Sequence, residues 1–181
     1  MRHVRVLLPT LALALAAAPS PARAVTPDSV RVPTSSARVD APIPAEVRAT
    51  IDSHRAQARA AFEAGRNEQA RQELLAAASL LREAGVLPSD ELFAVATIAL
   101  VEERPLLAAQ TMDDLAASAE AFGQPWVEAQ ALREAASQYA AADRSDISRQ
   151  RVDLLRTLLT SAQIPDSFRA ELRTQVASQE R

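Results

Sequence analysis

The chain has 181 residues, enough for one domain with a sizeable core, and 48% of them are hydrophobic, which excludes a wholly disordered polymer. Only 3% are aromatic, three are Gly and none is Cys; this argues against aromatic-paired β-sheets with tight hairpins and excludes disulfides, thiolate metal sites and cysteine nucleophiles. A net charge of −3, carried against 20 Arg and no Lys, leaves no general basic face for nucleic-acid phosphates.

Residues 1–24 read as a signal peptide. Arg2 and Arg5 supply a positive start, 6–18 is an apolar run, Pro19 and Pro21 break it, and Ala22-Arg23-Ala24 offers a cleavage site. The run is well short of the roughly 20 residues of a membrane-spanning helix. Cleavage there removes three Arg and no acid, leaving 17 Arg against 23 acidic residues, a net charge of −6. An exported protein, periplasmic or secreted, is the expectation. Residues 25–43 hold Pro27, Pro33 and Pro42 among Ser and Thr, without periodicity, and read as a flexible linker. The helical domain is expected over 44–181.

From Pro44 onward the punctuation is regular. Proline recurs at Pro44, Pro88, Pro125 and Pro165, each ahead of a helical pattern, and a helix's first turn loses nothing to its missing N–H. Gly65, Gly85 and Gly123 each stand where a helix pattern stops, the position that favours a left-handed residue. Seven helices follow, over about 45–64, 67–84, 89–102, 105–122, 125–142, 146–162 and 166–179. The first carries Val47, Ile51, Ala58 and Phe62 on one stripe; the second carries Ala70, Leu74, Ala77 and Leu81. The third, from Leu92 to Val101, is apolar all round and must be covered on several sides, with Ser89 placed to cap it. Stripes continue through Ala108, Met112, Leu115, Ala119 and Phe122, through Ala129, Leu132, Ala136 and Tyr139, and through Ile147, Leu154, Leu155, Leu158 and Leu159. Phe168, Leu172 and Val176 give the last helix one apolar side, as a capping helix has. The fold class is all-α, arranged as stacked antiparallel hairpins.

Over about residues 54–84, Ala58, Ala61, Phe62, Gly65, Ala70, Leu74 and Ala77 stand in the order and spacing of a tetratricopeptide repeat. The chain therefore resembles a divergent tetratricopeptide-like α-solenoid. A second unit aligns around Ala96, Ala99, Ala108, Met112 and Leu115 but has no Gly at its internal turn. The proline intervals exceed that family's 34-residue period. The resemblance implies a concave groove that receives a peptide, lined by the first helix of each pair. Asp52, Arg55, Arg59, Phe62 and Glu63 align with its groove-lining positions, and Arg55 and Arg59 share one helix face at i, i+4. Glu128, Arg133 and Gln138 are polar positions of the fifth helix that can face the same side.

Chemistry-bearing constellations are scarce. Asp52 and His54 are i, i+2 on a helix and point apart. With His3 in the signal segment, His54 stands alone and makes neither a triad nor an ordinary zinc site. The acidic pairs Glu102-Glu103 and Asp113-Asp114 diverge by about 100° and read as solvated helix faces. No GxGxxG, Walker-type loop, GxSxG or HExxH is present. The expectation is a protein–protein interaction module or scaffold without catalytic residues, cofactor or metal, whose partner is another polypeptide. The alternative is a helical bundle holding a small apolar ligand near Phe93, Trp126 and Tyr139.

Overall fold

Strong helix formers, interrupted about every twenty residues by a turn, fold into six helices among the described residues. They are α1 (Ala45–Glu63), α2 (Asn67–Glu83), α3 (Ser89–Val101), α4 (Pro105–Ala121), α5 (Pro125–Ala141) and α6 (Ser145–Leu158). The computed structural model describes residues 42–160, with Ile164, Asp166, Arg169 and Ala170 beyond them. The expected signal peptide, nearly all of the linker and most of the seventh helix lie outside the described residues. Among the described residues the fold is all-helical. The helix ends fall within one residue of expectation except the last, where α6 closes at Leu158.

All five interhelical turns begin in the same way. The residue after each C-cap takes φ between 56° and 76°: Gly65, Gly85, Glu103, Gly123 and Asp143. The N–H of the following residue then reaches five residues back. Arg66 donates to the Ala61 carbonyl, Val86 to Leu81, Arg104 to Ala99, Gln124 to Ala119 and Arg144 to Tyr139, all at 2.8–2.9 Å. This pairing satisfies the orphan carbonyls of the ending helix. In four of the turns that same residue is also the N-cap of the next helix, with ψ between 56° and 70°. One residue serving two helices cannot take the β-region geometry that a side-chain cap needs. None of the six helices has a side-chain cap hydrogen bond, and Ser89 lies inside α3, after Pro88, rather than capping it. Pro105 and Pro125 at the first helical position offset part of the loss.

Helices pack most heavily on their neighbours in sequence, α1 on α2 through α5 on α6. The core from Ala78 to Ile164 is rich in Ala, with Ala78, Ala99, Ala108, Ala109, Ala129, Ala131 and Ala135 fully buried. Such small residues let helix axes approach closely, and Leu92, Met112, Leu115 and Leu155 fill the space between. A smaller cluster of Ile51, Ala77 and Leu81 joins α1 to α2, and Ile43, just ahead of α1, packs against it.

Two stripes differ from the sequence reading. On α1 the buried line runs through Ile51, Ala58 and Ala61, while Phe62 is 41% exposed. On α6 it runs through Val152, Leu155 and Leu159, while Leu154 is 51% exposed. Leucines at 154 and 155 cannot both face one neighbour, because successive residues diverge by about 100°. Helix α3 buries Leu92, Val95, Ala96, Ile98 and Ala99 but exposes Leu100 and Val101 at its C-terminal end.

Candidate functional site

On α1, Asp52, Arg55, Arg59, Phe62 and Glu63 are all exposed. Arg55 is nevertheless engaged. Its Nε and Nη2 reach Glu91 Oε1 on α3 at 2.7 and 2.6 Å, and Asp52 lies 3.5 Å away. Glu91 is only 3% exposed, so its charge is stabilised by Arg55. The guanidinium is correspondingly harder to deprotonate; burial opposes this but the hydrogen bond and charge of Glu91 outweigh it. Helical spacing places Arg55 and Arg59 on one face, yet Arg55 is committed to holding α1 against α3. Arg59 forms no ion pair among the described residues.

Similar ties join other next-but-one helices. Arg82 on α2 donates to Ser118 on α4 at 3.3 Å. Asp113 on α4 takes two hydrogen bonds from Arg151 on α6, from Nε to Oδ1 at 2.6 Å and from Nη2 to Oδ2 at 2.8 Å. Between them on α5, Tyr139 donates its hydroxyl to Asp113 Oδ2 at 2.7 Å, and the Arg151 guanidinium lies 5.8 Å from the ring centre. Burial, followed by this bond to a carboxylate, pushes the Tyr139 phenol up to about 12. The buried Arg71 on α2 bonds Glu102 at the end of α3 and Glu68 on its own helix. His54 Nδ1 lies 2.7 Å from Glu73 of α2.

These partners correct the reading of the acidic pairs as solvated. In each pair one member turns inward to a partner, Glu102 to Arg71 and Asp113 to Arg151, while Glu103 and Asp114 stay exposed. The divergence that forbids adjacent carboxylates from acting together also sends one of them to a neighbouring helix. Among the described residues no group of three or more His, Asp or Glu is placed to hold a metal ion. No described helix is long and apolar enough to cross a membrane.

Two recesses bear on binding. A small one, about 170 Å³, lies between α3 and α5 and is lined by Phe93, Ala96, Met112, Gln130, Arg133 and Gln138. Phe93 is the aromatic expected at a ligand cavity, but Trp126 and Tyr139 do not line it. A larger cleft, about 570 Å³, lies between α4 and α6 over α5, and residue spacing alone did not single it out. Its one sequence signal was Leu154, an apolar residue one position off the buried stripe of α6.

No family model, curated protein or solved structure matches the chain.

Proposed function

We propose that this is an exported helical-repeat protein that acts as a protein–protein interaction module or scaffold, without catalytic chemistry of its own. The observation that carries the reading is the set of ties between next-but-one helices. Arg55–Glu91, Arg82–Ser118 and Asp113–Arg151 join residues 36, 36 and 38 positions apart. Ties at about one hairpin's spacing are what a solenoid whose units touch only their neighbours would make. The recurrent turns at Gly65, Gly85, Glu103, Gly123 and Asp143 support the same reading, at a unit length of about 40 residues. Tetratricopeptide repeats are shorter, so the likeness extends to the hairpin more than to the period.

Stacks of this kind present long helix faces, and fold alone does not assign function. The exposed α1 stripe of Asp52, Arg59, Phe62 and Glu63 is one contact surface, and the α4–α6 cleft is another. The export half of the reading rests on Arg2, Arg5, the apolar run 6–18 and Ala22-Arg23-Ala24.

The test immobilises residues 25–181 and passes over them an envelope extract of the native cell, with quantitative mass spectrometry of what is retained. A polypeptide that is retained saturably and displaced by the free domain is expected. Retention no different from that on an unrelated helical protein of equal charge overturns the reading.

A further inference from the structure

We propose that the cleft between α4 and α6 receives a cationic amphipathic helix of a protein partner, which sets its apolar side on Leu132, Leu154 and Leu158 and its basic side chains on Asp114, Glu120 and Glu128. The proposal rests on the reading of the protein as an interaction module and names the partner's chemistry.

The walls of the cleft are two helix stripes at i, i+3, i+7 spacing. Asp113, Ala116 and Glu120 form one, and Arg151, Leu154 and Leu158 form the other. The lining runs over residues 113–120 and 151–158, walls roughly 11 Å long, which match about two turns of a docked helix. Leu154, 51% exposed, stands in this wall although the adjacent Leu155 is fully buried. An apolar anchor in a recess is what helix-in-groove recognition uses, with anchors at i, i+3, i+4 and i+7 of the partner.

Charge decides the sign of that partner. Four carboxylates and one guanidinium line the cleft. Arg151 is consumed by Asp113 in a two-bond pair. Asp114, Glu120 and Glu128 form no ion pair among the described residues. Glu128 is half-buried, and its carboxyl is held above the usual range by that burial and by the charge of Glu120. Like charges therefore meet across the cleft, and a Lys or Arg from outside relieves both. An anionic segment, a nucleic acid or an acidic membrane surface is repelled by the same groups.

The probe is a fluorescein-labelled 18-residue peptide of Leu and Lys in helical amphipathic register, titrated with residues 25–181 by anisotropy. Its circular dichroism is followed in parallel. The peptide is expected to bind and gain helicity. Leu154→Asp, and separately Glu120→Gln with Glu128→Gln, are each expected to weaken binding at least tenfold. Asp90→Asn with Glu103→Gln, the same charge change elsewhere on the surface, is expected to stay within twofold. The Gln pair is expected to keep or raise the melting temperature, since it relieves a like-charge contact, so its loss of binding is not unfolding. Equal binding of a scrambled peptide of the same charge, or wild-type affinity in both cleft variants, overturns the proposal. If a partner captured from the envelope binds the cleft variants as it binds wild type, the cleft is not its site and only this inference fails. If no partner is captured, while the probe distinguishes the variants as expected, the cleft stands and the interaction-module reading fails.

Discussion

Raising the pH from 8 to 12.5 should destabilise this protein through one side chain. Tyr139 is the sole tyrosine, 5% exposed, and donates its hydroxyl to Asp113 at 2.7 Å. Ionising it would place a phenolate against that carboxylate in a buried site, and the positive charge of Arg151 offsets only part of the cost. The folded phenol therefore titrates near 12, against about 10 in the unfolded chain. Because the folded value is the raised one, the contribution is complete below about pH 10 and is lost as pH rises through 12. Two units at about 1.4 kcal/mol each give a loss of about 2–3 kcal/mol. The chain has no Lys and no Cys, and Arg keeps its proton throughout, so nothing else with a side-chain proton titrates in this window. The assay is urea unfolding followed by the fluorescence of Trp126, the only tryptophan, at half-unit steps of pH, with tyrosinate absorbance at 295 nm on the folded protein. Stability should fall by about 1.4 kcal/mol per pH unit between 10 and 12. Tyr139→Phe should remove that slope, whatever its effect on stability at pH 8. A folded-state midpoint near 10, or an unchanged slope in the Phe variant, would refute the burial and the Asp113 bond as its cause.

Leu115→Ala, at a fully buried position, should cost about 2–5 kcal/mol in denaturant titration, whereas Leu74→Ala, at a half-buried one, should cost about 1–2. Equal costs would show that α2 and α4 are faced differently from the description above. Arg55→Ala should cost about 2–3 kcal/mol by leaving Glu91 buried and unpaired, and adding Glu91→Leu should recover most of it; an unchanged melting temperature in the single variant would return Arg55 to the solvent. Glu103→Gly should stabilise by about 0.5–1 kcal/mol, because relief of the left-handed strain exceeds the added unfolded-state freedom. A fall in melting temperature would show that the Glu103 side chain contributes something the turn geometry does not reveal.

Helix order and boundaries were legible because local chemistry sets them. Gly65, Gly85 and Gly123 sit at left-handed positions where no added Cβ would meet another atom, so backbone φ alone explains them. The same conformation at Glu103 and Asp143 was not legible, since non-Gly residues adopt it uncommonly and neither residue type signals it as Gly does. Burial was legible for α4 and α5, whose apolar residues hold a strict helical spacing, and failed where two leucines stand side by side at 154 and 155. The ties were hidden for a different reason. Glu91 opens a helix that otherwise reads as apolar, and its partner lies 36 residues upstream, so no window that detects helix periodicity contains both. In a stacked-hairpin chain the informative distance is one full hairpin. Arg55 with Glu91, and Asp113 with Arg151, are opposite charges about one hairpin apart. A spacing of that length cannot be found until the repeat length is known. For this chain that length comes from the turns at Glu103 and Asp143 as much as from the glycines, so the site became readable only once the fold was.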